Sequence, residues 1–424
     1  MKIVEVQSRM FQALVREELA AHRNLLRHIS TQIWDHPETL YEEFFAHDLL
    51  TSVLETHNFQ VEAKFGGIST AFRAECSSKN FNPRIHHTVG IICEYDALPV
   101  IGHACGHNLI ATAGIAAALV LKRLLKSDNT NDHPEVNGKV VILGTPAEEG
   151  GVGKLRMLKK SAFAGVECAM MVHPFPSNDL KPLALGINDL QVEFYGKSAH
   201  ASCGPWDGKN ALDGAIAAYN HFSLLRQQIP HDHRIGCTIA HGGTTPNAIP
   251  EFAKLSFLVR AQKQADLHVL TEKVTRCCEA GAEAAGCSVD VKNTLPPVCG
   301  ILHNEVLCDL FQHYAAGEGI LFSSKPSDFY GSTDMGCVSA AIPSIHPCYA
   351  IGKAIMIHTE EFREMARTEE AFDKTLSAAA SLAMTTLHLF RNSNDMLRAK
   401  AEFLATRSAF LGKDIENFNF TENL

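Results

Sequence analysis

Clustered positive charge is what this chain most clearly lacks. Across 424 residues, 38 Lys and Arg stand against 47 Asp and Glu, a net charge of −9. Phosphate binding needs grouped basic side chains, so no nucleic-acid partner is expected. The acidic balance is compatible with a cationic substrate. Long hydrophobic runs are missing as well. The longest nearly apolar stretch, Leu109 to Leu121, is too short to span a bilayer. The N-terminal MKIVEVQSRMFQALVREELAAH has neither an apolar leader core nor a small-residue cleavage site, and the closing ENL is neither a prenylation nor an ER-retention signal. There is no repeat of fixed period and no low-complexity tract. Cysteine is not scarce, but thirteen at irregular spacing make an odd number and no disulfide framework. Reduced thiols, no membrane partner and a cytoplasmic location are the expectation.

What is present fits a folded protein of two domains. The chain is too long for one compact core, and 46% of it is apolar and 20% charged. From Thr88 to about His173, short apolar strands alternate with helices: TVGIICEYDAL, HNLIATAGIAAALVLKRLLK, KVVILGT, GKLRMLKKSAF and VECAMMVH. That rhythm predicts an α/β domain with a mostly parallel sheet flanked by helices, its chemistry beyond the carboxyl ends of the strands. Near Asn188 the order becomes β-α-β-β-α-β, the signature of a ferredoxin-like α+β domain. After Thr294 the earlier pattern returns and ends in an Ala-rich helix around Glu370 to Arg391. Residues 1–186 and 297–424 then form one domain, interrupted by an inserted domain at 187–296.

Several short motifs carry ligand-type residues. In Gly102-His103-Ala104-Cys105-Gly106-His107-Asn108, a thiolate and an imidazole two positions apart open a helix and can converge on one metal. A buried cysteine beside a capping Asn108 is the plainer alternative. Thr145-Pro146-Ala147-Glu148-Glu149-Gly150-Gly151 places two adjacent carboxylates at a strand end. In non-helical backbone they point opposite ways, one able to ligate and one to face water. A solvated acidic turn reads equally well. Gly151-Val152-Gly153-Lys154 is not a phosphate loop, because Glu148 stands where the first glycine belongs and Leu155 where Ser or Thr would hold magnesium. His173 at a strand end and His358 in Ile357-His358-Thr359-Glu360 mean little alone. Together, Cys105, His107, Glu149, His173 and His358 suit two metal ions sharing a ligand and a water. In the inserted domain, His200 lies in a small-residue turn, Asn247 in a Pro-bracketed loop and Arg260 at a strand end. Turn chemistry and a surface ion pair account for the latter two equally well. Gly331-Ser332-Thr333-Asp334-Met335-Gly336 could be a capped helix start.

In this order the segments resemble the aminoacylase and carboxypeptidase family of two-metal peptidases, metallopeptidase family twenty. HACGHN, TPAEEGG and GSTDMG resemble its amidohydrolase branch, of which Cys105-x-His107 is the hallmark. IWDHPETLYEE, TAFRAE, EYDALP, GHNLIATAG, YGKSAHAS, NALDGAIAAYN and IGKAIMIHTEEF are similar to the beta-alanyl-lysine (Xaa-Arg) dipeptidase group, and the likeness runs from about Ile33 to Met384. The resemblance implies a catalytic domain and an inserted lid and dimerisation domain. It implies two divalent metal ions, Zn or Mn, on Cys105, His107, Glu149, His173 and His358, with Glu148 as general base. It implies that His200 reaches the scissile carbonyl, commonly that of the partner subunit, that Asn247, Arg260 and Asp334 touch substrate, and that Asp96 orients ligands. The implied substrate is a small dipeptide with a basic C-terminal residue. N-acyl or aminobenzoyl amino acids are the alternative, and a non-catalytic metal-binding interaction protein is the alternative of another class. Cys337 stands where the dipeptidase pattern has Asn, and Asn108 replaces the Asp of the plant branch.

Overall fold

The structure is a computed structural model that describes residues 2–126, 135–323, 331–412 and 416. Among the described residues, twelve strands form three sheets. β1 (Gln60–Ala63), β2 (Phe72–Ser77), β3 (Thr88–Glu94), β4 (Lys139–Thr145), β5 (Cys168–Met170) and β11 (Ser344–Ile345) make the six-stranded sheet, in the order β1-β2-β4-β3-β5-β11. β3, β4, β5 and β11 run parallel, as the alternation of strands and helices requires. Every residue of β3 is buried, because helices cover both faces. One correction concerns the edge: β1 and β2 pair antiparallel with each other, and β2 pairs antiparallel with β4, so two of this sheet's six strands form an antiparallel edge that reading from Thr88 onward omits. The alternation in Phe72-Arg73-Ala74-Glu75-Cys76-Ser77, buried then half-buried, is a period-two signal.

The helix His107–Leu125 lies at the centre of this domain, packed against β3 and the helix Glu369–Arg391. By length and composition it could cross a membrane, but 89% of its apolar window is buried inside the protein, as a core helix requires. VECAMMVH is not one strand. β5 ends at Met170, and the chain then starts β6 (His173–Phe175), which pairs parallel with β12 (Cys348–Ala350). This small second sheet carries His173 away from β5, and Pro174 has no N–H to continue a ladder there.

The third sheet has the order β10-β7-β9-β8 and is wholly antiparallel: β7 (Gly186–Tyr195), β8 (Arg234–His241), β9 (Phe252–Ala261) and β10 (Ser288–Asn293). Helices Ala211–Leu224 and Gln264–Ala284 complete the expected β-α-β-β-α-β order. Leu190, Val192, Phe194, Phe222, Leu255 and Phe257 give this unit a hydrophobic core of its own. Its other sheet face carries Ile187 and Arg260 towards the larger domain. β8 is an edge strand with alternately exposed residues.

Candidate metal centre

The strand-to-helix loop delivers the first two donors. Gly106 has φ +80 and caps the helix, and any Cβ there would strike Pro174, so the sharp turn needs glycine. The turn leaves Cys105 6% exposed and His107 fully buried at the first helical position. Cys105 Sγ lies 3.6 Å from His173 Nε2, while His173 Nδ1 is 2.7 Å from the Pro174 carbonyl oxygen. Asp96, just past β3, ties two donors together. One carboxylate oxygen is 3.0 Å from His107 Nδ1, and the other accepts from the Glu149 backbone N–H at 2.9 Å. Such a carboxylate orients the ring and leaves its other nitrogen open. His358 holds a left-handed backbone, φ +64, its N–H donating to the Ala104 carbonyl oxygen at 2.8 Å. Its Nε2 is 3.3 Å from Glu149 Oε1. Strained non-glycine backbone is tolerated where a site dictates side-chain direction.

The structure thus gathers all five expected donors. Ligand atoms of Cys105, His107 and His173 lie within 4.8 Å of one another, as do those of Cys105, Glu149 and His358. Cys105 belongs to both sets. Among the described residues, His107 Nε2 and Glu149 Oε1 are buried and have no hydrogen-bond partner. Buried polar atoms of this kind are rare unless an ion or water completes them. A thiolate, three imidazoles and a carboxylate with open atoms fit a pair of divalent cations.

The paired glutamates are not in extended backbone. Ala147 takes φ +56 and Glu148–Gly151 form a short helical turn. The two carboxylates still part: Glu149 faces His107 and His358, whereas Glu148 also meets Glu94 and Asp334. Their electrostatics differ accordingly. Burial, then the charges of Glu94, Glu149 and Asp334, hold the Glu148 carboxyl well above the usual range. Burial would raise Glu149 too, but the close approach of His358 and the charge of His107 bring it below. Burial pushes His173 down to about 4, keeping it neutral and able to ligate.

Asp334 sits in a buried ion pair. It is 2% exposed, and Lys154 holds both its oxygens, Nζ at 2.5 Å and the backbone N–H at 2.8 Å. It also lines the smaller lobe of the cleft beside Thr333. Lys154 is itself fully buried, with Nζ also 2.5 Å from Glu94 Oε1. The lysine set aside as a phosphate ligand is the cation that neutralises the acids behind Glu148. Sequence reasoning missed Glu94, although an acidic residue closing an apolar strand was a visible signal. It also missed His346, which stacks on His173 at 5.3 Å, and Cys348, which pairs with His173 across β6 and β12.

The remaining residues divide. Arg260 lines the cleft above the donors, its Nη1 donating to Ser332 Oγ at 3.1 Å. His200 and Asn247 do not join the donors of their own chain. They sit together on exposed loops of the smaller domain, Asn247 Nδ2 3.5 Å from His200 Nε2, and His200 Nδ1 accepts from the Ser202 and Cys203 N–H groups. Asn108 is buried and donates to Ser30 Oγ and the Ala366 carbonyl oxygen, a packing role. Cys337 is buried in the helix Met335–Ala341. The cleft has two lobes that share Glu148, Glu149, Ile187, Ser332 and Thr333. The larger, about 350 Å³, holds Cys105, His173, His358 and Arg260; the smaller, about 200 Å³, runs under β7.

Comparison with known proteins accords with this geometry. Residues 185–285 match the family profile of the peptidase dimerisation domain. The mouse Xaa-Arg dipeptidase is 40% identical over 384 residues, 88% of this chain and 87% of that protein. The human Xaa-Arg dipeptidase is 40% identical over 371 residues, 85% and 84% of the two chains. The crystal structure of the Bacillus subtilis YXEP protein, a dinuclear metal binding peptidase from the M20 family, superposes with a TM-score of 0.64 at 18% identity, over 85% of this chain and 99% of that one. With the donor cluster, the two-domain fold and a likeness spanning most of its length, this chain belongs to the M20 peptidase family and is a metal-dependent hydrolase of amide bonds.

Proposed function

We propose that this chain is a dipeptidase that cleaves small dipeptides with a basic C-terminal residue, Lys or Arg. The observation that carries the reading is the meeting of five donor side chains, two of them with open buried atoms, beside Glu148. Cys105, His107, Glu149, His173 and His358 would hold two divalent ions. Thiolate with imidazole favours Zn, and a carboxylate with imidazoles also admits Mn. Such ions, when bound, acidify water and polarise an amide carbonyl. Glu148 takes the proton of the attacking water and passes it to the leaving nitrogen, a task suited to a carboxyl whose affinity for protons burial has raised. Asp96 keeps the His107 ring and the Glu149 backbone in place. Arg260 receives the substrate carboxylate through its planar fork of donors. His200 and Asn247 act from the lid of a partner subunit in a homodimer, where the imidazole stabilises the developing oxyanion. The cytoplasm is the proposed location.

The test is a panel of dipeptides ending in Lys, Arg, ornithine, Glu and Leu, with N-acetyl amino acids and aminobenzoyl-glutamate alongside. Protein loaded with Zn or Mn should favour the basic dipeptides and lose all turnover in chelator. A preference for aminobenzoyl-glutamate or N-acetyl substrates would replace the dipeptidase reading with the amidohydrolase one.

A further inference from the structure

The roof of the cleft carries two opposite charges that do not meet. In the antiparallel register of β7 and β9, Ile187 stands opposite Arg260 and Asp189 opposite Leu258. Asp189 and Arg260 are therefore diagonal neighbours on one sheet face, a separation of roughly 7–8 Å between backbone positions. Arg260 hangs into the larger lobe and Asp189 into the smaller, where Leu258, Leu295, Pro296 and Val298 surround it. No ion pair joins them among the described residues. Burial lowers the pKa of the Arg260 guanidinium. The Asp189 carboxylate is half-buried and has no hydrogen-bond partner among the described residues; the bonds at this position reach its backbone carbonyl oxygen, from Thr294. Half-burying an unpaired charge is unfavourable unless a ligand of opposite sign completes it.

Glu148 lies where the two lobes join. A substrate whose amide bond sits at Glu148 must send one end towards Arg260 and the other towards Asp189. An extended two-residue chain spans about 7 Å, and the two charged residues line adjoining lobes that meet at Glu148. We propose that Asp189 is the receptor for the free ammonium at the amino terminus of the substrate, so that the site measures an unblocked dipeptide between a guanidinium and a carboxylate. The inference rests on the dipeptidase reading and adds to it the expectation that an N-acylated amino acid is the poorer substrate. The acyl cap removes the charge that Asp189 would pair.

Four probes separate the possible sources of positive charge: beta-alanyl-lysine, beta-alanyl-norleucine and the N-acetyl derivative of each. Asp189→Asn in metal-loaded protein should lower kcat/KM for beta-alanyl-norleucine about 10- to 100-fold more than for its acetylated form, the scale of one charge-assisted hydrogen bond. The loss should appear mainly in KM, and Asp189→Glu should recover much of it. Equal losses on free and acetylated substrates would overturn the proposal, leaving Asp189 a structural residue. A loss that follows the lysine side chain, with or without the acetyl group, would overturn the amino-terminal assignment. If wild-type protein cleaves none of the four, the dipeptidase reading itself falls. Cleavage without discrimination by Asp189→Asn removes this inference alone.

Discussion

At the floor of the cleft, His107, Asp96, Glu94 and Lys154 are buried in the core of the larger domain, held by a network of hydrogen bonds and ion pairs. At the roof, Asp189 and Arg260 project from two strands of the smaller domain at half exposure, and His200 stands on an open loop. At the floor the charges have buried counterparts or open atoms facing the donor cluster. The roof is built on a separate hydrophobic core, so it can present charges to a ligand without disturbing the chemistry beneath. Positioning of reacting groups calls for the first arrangement. Recognition of a small charged substrate tolerates the second.

Three changes would break or sharpen this contrast. Glu148→Gln strikes the floor at its reacting group and should cost about 10²–10⁴ in kcat. Metal content, measured by elemental analysis, should stay at the wild-type level. Near-normal turnover would remove Glu148 from the proton transfer. Lys154→Met leaves Glu94 and Asp334 without their cation and should destabilise the protein by about 3–5 kcal/mol, as breaking buried ion pairs does. Denaturant unfolding measures it, and a change under 1 kcal/mol would show that the acids are neutral without Lys154. His200→Ala touches only the roof and should lower kcat by roughly 10²-fold while leaving stability unchanged. Mixing it with Glu148→Gln protein should restore activity if His200 serves the other subunit. No restoration in a mixed dimer would place its action within its own chain.

Legibility followed the same division. Cys105, His107, Glu149, His173 and His358 carry recognisable chemistry in short motifs, and the structure places them together although 253 positions separate the first from the last. Periodicity was sufficient for the smaller domain, because each strand there buries one face and each helix one stripe. It failed at VECAMMVH, where an unbroken apolar run hid the step from one sheet to another. The pairing of Asp334 with Lys154 was hidden, because a motif does not say which way a carboxylate turns. Lys154 was read against a phosphate pattern and rejected, and a buried lysine with two acid partners leaves no trace in one-dimensional spacing.

By itself the chain's order of residues determined most element types, the change of pattern near Asn188 and the candidate metal donors, because these depend on local periodicity and side-chain chemistry. Only the tertiary structure decided that Glu94, Lys154 and Asp334 close around Glu148, that His346 stacks on His173, and that Asp189 and Arg260 face the same cleft unpaired. Those are matters of which distant segments become neighbours when strands take their register, and charge in a low-dielectric interior acts through such neighbours rather than through sequence distance.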